Sequence, residues 1–124
     1  MIDVSEKSDG VVERFLDRMV AHDWDGMAAC VADDVERVGP FGDVYRGRAD
    51  YVAFIADLLP TLAGYAMKVG RVVDVGPVAV VELTETVDGV DTPEALVFDI
   101  DDDGLIARIA IYIQNAGLEP EGWQ

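Results

Sequence analysis

Apolar residues recur at three- and four-residue spacing from Val11 through Val12, Phe15, Leu16, Met19 and Val20, and this period predicts an amphipathic helix. Ser8 or Asp9 can cap its start, and it should run to about His22. Asp23 then caps a short second helix bearing Trp24, Met27, Ala28 and Val31, which should end near Asp33 and Asp34. Residues 35–45 contain the turn cluster Gly39, Pro40, Phe41 and Gly42, so they read as a short hairpin or a strand with an irregular return. A third helix is predicted over about 48–59, with Tyr51, Phe54, Ile55, Leu58 and Leu59 on one face and Pro60 as its stop. From Gly64 onward the period becomes two, and four strands are predicted at about 65–75, 78–88, 94–101 and 105–114. Helices followed by strands, without repeat or linker, predict one α+β domain with a core over about 8–115 and a loosely held tail over 116–124.

At 124 residues the chain can hold one substantial core. Its net charge of −16 repels phosphate backbones and anionic lipid, so neither nucleic acid nor membrane is an expected partner. The N-terminal residues carry neither a basic start nor an apolar stretch of signal-peptide type, and the expected compartment is the cytoplasm. A single cysteine, Cys30, cannot close an internal disulfide and reads as a small buried hydrophobe. In the last strand Leu105, Ala107, Ile109, Ile111 and Ile113 form one apolar face, and Ile106, Ala110 and Tyr112 make the other mostly apolar. Helices can cover only one side of a sheet, so a homodimer is expected to cover the second, with Ile109, Ile111 and Ile113 facing the partner.

The stretches VVERFLDRMVAHDWDGMAACVADDV, YRGRADYVAFIADLL and DDDGLIARIAIYIQ resemble the nuclear transport factor 2-like superfamily and its SnoaL-like branch. That resemblance implies a cone of three helices on a curved antiparallel or mixed sheet that encloses an apolar pocket. The superfamily includes ketosteroid isomerases, limonene-epoxide hydrolases and SnoaL-like polyketide cyclases, and each activity can be checked residue by residue. Where a ketosteroid isomerase places a tyrosine on the first helix, this chain has Phe15, and the base and second acid fall near Val38 and Leu96. Against the epoxide hydrolases Asp88 survives, whereas Thr86 stands at the arginine and Gln114 at the final-strand acid, the position at which SnoaL-like cyclases also keep an aspartate.

What remains is a polar row expected to point inward: Glu82, Thr84 and Thr86 on one strand, Tyr112 and Gln114 on another. Thr84 and Thr86 also suit a strand by propensity alone. Glu82 is the candidate proton acceptor, Tyr112 the donor and Arg37 the anion stabiliser, with Arg37 also open to a surface role. Phe15, Trp24 and Tyr45 complete the expected pocket lining. An Arg37–Glu82 ion pair sealed in the core would instead mark a structural role. The acidic run from Asp99 to Gly104 mimics the start of a calcium loop, but Ala110 stands where a bidentate glutamate is needed and a strand follows. His22 is the single histidine, and no glycine-rich phosphate loop is present, so neither metal nor cofactor is expected. The expected function is a SnoaL-like pocket protein that binds a small apolar molecule and isomerises, cyclises or hydrates it, the alternative being a non-catalytic ligand-binding or dimerisation module.

Overall fold

A computed structural model describes residues 10–114, so the predicted tail and the Ser8 or Asp9 cap lie outside the described residues. Three helices, α1 (Val11–Val20), α2 (Trp24–Ala28) and α3 (Arg48–Leu58), lie with six strands: β1 (Val31–Val38), β2 (Val44–Arg46), β3 (Ala66–Asp74), β4 (Val78–Val87), β5 (Val90–Ile100) and β6 (Ile106–Ile113). The strands form one curved sheet in the order β2-β1-β6-β5-β4-β3, antiparallel except where β1 runs parallel to β6. This is the α+β architecture that the change of period predicts. A 3₁₀ turn over Leu59–Thr61, with Pro60 at its start, ends α3.

The first helix buries Val11, Val12, Phe15, Leu16 and Met19, the residues its period singles out. Phe15 meets Phe98 of β5 edge to face at 5.9 Å and stacks on Tyr51 of α3 at 6.4 Å, which ties the helix layer to the sheet. The second helix is shorter than predicted. Val31 already belongs to β1 and pairs with Ile106, while Ile106 N–H donates to the Cys30 carbonyl at 2.9 Å. The register then shifts between Val31 and Glu36, and the exposed Asp33 and Asp34 sit in that irregularity rather than on a helix.

Asp88 and Gly89, with φ of 53° and 79°, form the two-residue turn of the β4–β5 hairpin and pair Val87 with Val90. The inner face of β4 is Ala79, Val81 and Leu83, all buried, continuing into Glu85. In β6 two steps lead from Ile106 to Arg108 where only one step separates their partners Ile100 and Asp99. This bulge at Ala107 lets Ile106 and Ile109, three residues apart, both bury on the helix side. Ile109 and Ile111 therefore line the interior, not a partner-facing surface. The sequence argument for a homodimer through these isoleucines does not survive.

Candidate active site

The one-residue parity of the strands decides which polar groups enter the interior. On β4 the odd positions face the helices because Ala79, Val81 and Leu83 make the apolar set, so Glu82, Thr84 and Thr86 point to the outer face. Glu82 is exposed and pairs with Arg71 at 3.0 Å. Thr86 donates to Asp91 at 2.6 Å on the exposed side of the hairpin. On β6 Tyr112 is 60 % exposed, and Gln114 is exposed beyond the strand end. The predicted row does exist as a row: Glu82, Thr84, Tyr112 and Gln114 line one groove of about 630 Å3, but on the side of the sheet away from the helices. The predicted Arg37–Glu82 pair is not formed.

Inside the cone lies a second space of about 120 Å3, walled mainly by apolar side chains that include Phe15, Ile55, Leu59, Leu96 and Ile109. Four polar side chains enter it: Arg37 from β1, Tyr51 from α3, Glu85 from β4 and Glu94 from β5. Hairpin pairing sets Leu83 opposite Glu94 and Glu85 opposite Thr92, so the two glutamates are diagonal neighbours on one face, a separation that long side chains span. Their carboxyls therefore meet at the same cavity wall. Burial first, then the hydrogen-bonding tendency and charge of the neighbouring Glu85, push Glu94 up to about 9, with Arg37 acting weakly in the other direction. Burial thus favours the neutral form of Glu94 beside Glu85. Tyr65, just before β3, also donates to Glu85, from its hydroxyl to Oε2.

Arg37 is the buried cation of this site, 8 % exposed. Its Nη1 donates to Asp43 at 2.6 Å across the β1–β2 hairpin, and its guanidinium lies 5.1 Å from the ring centre of Phe54 and 6.0 Å from that of Tyr45. Tyr45 and Phe54 stack at 4.1 Å and form the platform beneath it. Arg37 Nε is buried without a hydrogen-bond partner. Burial pushes the Tyr51 phenol above its ordinary range and keeps it a neutral donor. Of the predicted lining residues Phe15 and Arg37 reach this cavity, Tyr45 supports Arg37 from beside it, and Trp24 instead stacks on His22 at 5.1 Å.

Cys30 is buried, and burial raises its thiol, which donates to the Gly26 carbonyl at 3.5 Å. Asp101 accepts from the Asp103 and Leu105 amides and so builds the acidic turn between β5 and β6. Among the described residues no helix is long and apolar enough to cross a membrane.

Glu85, Glu94 and Tyr65 are not among the residues singled out from sequence, yet the signal was present. Ala79, Val81, Leu83 and Glu85 form an apolar alternation ending in a carboxylate, as do Phe98, Leu96 and Glu94 read back along β5. The Asp88-Gly89 turn fixes the register that makes the two ends meet.

The sequence matches the family model of the SnoaL-like domain over residues 12–109. No curated protein matches the chain. Among solved structures, a provisionally assigned ketosteroid isomerase from Kribbella flavida DSM 17836 superposes with a TM-score of 0.81 at 25 % identity, over 93 % of this chain and 82 % of that one. An LEH-like epoxide hydrolase from M. tuberculosis gives 0.76 at 22 % identity, over 88 % and 84 %. A provisionally assigned SnoaL-like polyketide cyclase from Shewanella denitrificans OS-217 gives 0.77 at 11 % identity, over 86 % and 90 %. These last two likenesses carry the fold alone.

Proposed function

Because the chain belongs to the SnoaL-like domain family, we propose that its interior cavity is the site of a cofactor-independent enzyme that moves a proton on a small, neutral, apolar molecule. The observation that carries this reading is the Glu85–Glu94 pair, two carboxyls set as diagonal neighbours in a mainly apolar wall, with Glu94 pushed up by burial and by Glu85. Such a pair supplies a base and an acid at the same pH. The ionised carboxylate takes a proton from carbon, and the protonated carboxyl returns one at a second position. The substrate leaves isomerised, and the pair is restored when its remaining proton passes from one carboxyl to the other. Arg37, with an unpaired buried N–H, stabilises negative charge that appears on the substrate only during the reaction.

Size and charge narrow the substrate. The cavity is comparable to one of ~150 Å3 that accepts benzene. Arg37 already answers Asp43, so an anionic substrate would add a second negative charge beside Glu85. The test is deuterium incorporation from D2O into a panel of small ketones and unsaturated hydrocarbons, followed by NMR. The wild type should exchange one or more of them, and Glu85→Gln and Glu94→Gln should each lose ~10²–10⁴-fold of that rate. Exchange that survives both substitutions refutes the reading, and binding without exchange supports the non-catalytic alternative.

A second copy of the chain remains part of the proposal, on different residues. The outer face presents Val73, Val80, Val97 and Tyr112, with Val73 and Tyr112 well exposed. An apolar area of this kind on a sheet is a candidate self-association surface.

A further inference from the structure

Two carboxyls that share a proton leave open which of them is the base. We propose that Tyr65 is a positioning residue that settles this: its hydroxyl donates to Glu85, which makes Glu85 the base and Glu94 the acid. The inference rests on the acid–base reading of the cavity.

Tyr65 does not line the cavity and would touch no substrate, yet its placement is well determined. The preceding Gly64 adopts φ of 62°, and the Asp88 amide donates to the Ala63 carbonyl at 2.7 Å. The base of Tyr65 is thereby tied to the tip of the hairpin whose two strands carry Glu85 and Glu94. Its ring packs part-buried against the core, and its hydroxyl reaches Oε2 of Glu85. Burial and the neighbouring Glu85 hold the phenol above its ordinary range, so it stays a donor.

Glu85 thus accepts from the Tyr65 hydroxyl, and a donor to a carboxylate favours its charged form over that of an unpaired neighbour. The groups that face the pair are Arg37 from β1, Tyr51 from α3 and Tyr65 ahead of β3. Arg37 favours the ionised form of Glu94 and so pulls against this order. Tyr65 alone among them donates to Glu85. A donor to a charged acceptor biases the proton by about tenfold or more.

Carboxyl 13C NMR of glutamate-labelled protein reads the proton's position without any substrate, with Glu85→Gln and Glu94→Gln used for assignment. In the wild type near neutral pH, Glu94 should show the protonated shift and Glu85 the ionised one. In Tyr65→Phe the proton should spread over both carboxyls, moving the two resonances toward each other as a bias of about tenfold falls toward evenness. If both carboxyls are ionised in the wild type, the acid–base reading itself fails. If Glu94 is protonated in the wild type and Tyr65→Phe changes nothing, or if the wild-type proton sits on Glu85, the role of Tyr65 is overturned while the pair stands. Should Tyr65→Phe not fold, the Tyr65 hydroxyl proton of the wild type is read instead. It should be slow to exchange and lost in Glu85→Gln, and a rapidly exchanging hydroxyl contradicts the inference.

Discussion

Replacing Glu94 with Gln keeps the shape of the side chain and a donor toward Glu85 while removing the titration, so it isolates the energetic signature of the shared proton. The folded state holds a proton on Glu94 up to about pH 9, whereas the unfolded chain releases it near its ordinary value of 4.5. Between those two values the folded state binds more protons than the unfolded one. Stability from this group is therefore fully present below about pH 4.5 and is lost progressively as pH rises to about 9. The whole difference would amount to about 6 kcal/mol. Glu94 is only part-buried, and water screens its repulsion from Glu85, so about 2 kcal/mol is the expected size. Urea unfolding of wild type and Glu94→Gln at about pH 5 and at about pH 9 measures it. The variant should be close to wild type at the acidic end and more stable by about 2 kcal/mol at the alkaline end, a difference of about 8 °C in Tm. A gap of equal size at both pH values would refute the argument.

Glu82→Gln should change stability by less than about 0.5 kcal/mol by thermal melting, and leave any exchange activity intact, because its partner Arg71 is as exposed as Glu82 itself. A drop of several degrees would return Glu82 to the interior. Isomerisation of 3-ketosteroids, followed by absorbance, should be absent, since Phe15 offers no donor and a steroid exceeds a cavity of about 120 Å3. Tyr112→Glu should yield monomers by light scattering where the wild type is dimeric at micromolar concentration; a monomeric wild type contradicts the outer-face interface.

The fold was legible where one period ran long enough to be unambiguous. The first helix shows Phe15, Leu16 and Met19 at the spacing that buries them. The hairpin turn at Asp88 and Gly89 announced the antiparallel pair that carries the site. The second helix was overextended because AACVADD has helical propensity, and only the parallel pairing of Val31 with Ile106 draws it into the sheet. The candidate site was misread by a single residue of parity. Glu82 and Glu85 are both carboxylates on one strand, and the choice between them depends on which alternating set is more apolar, Val81 and Leu83 or Val80 and Thr84. The match of Gln114 to the family's final-strand acid pulled Tyr112 and Gln114 inward, whereas the apolar alternation of β4 points to the opposite face. In β6 the bulge at Ala107 gives no sequence mark, so Ile109 and Ile111 could not be assigned a side from alternation alone.

Infrared difference spectroscopy of the carboxyl stretch tests the central claim most directly, since a protonated glutamate near pH 7 is what separates an acid–base pair from two surface carboxylates. The wild type should show a protonated-carboxyl band that moves in D2O and disappears in Glu94→Gln. Absence of that band in the wild type near pH 7, with all carboxyls titrating together in the ordinary acidic range, would contradict the account.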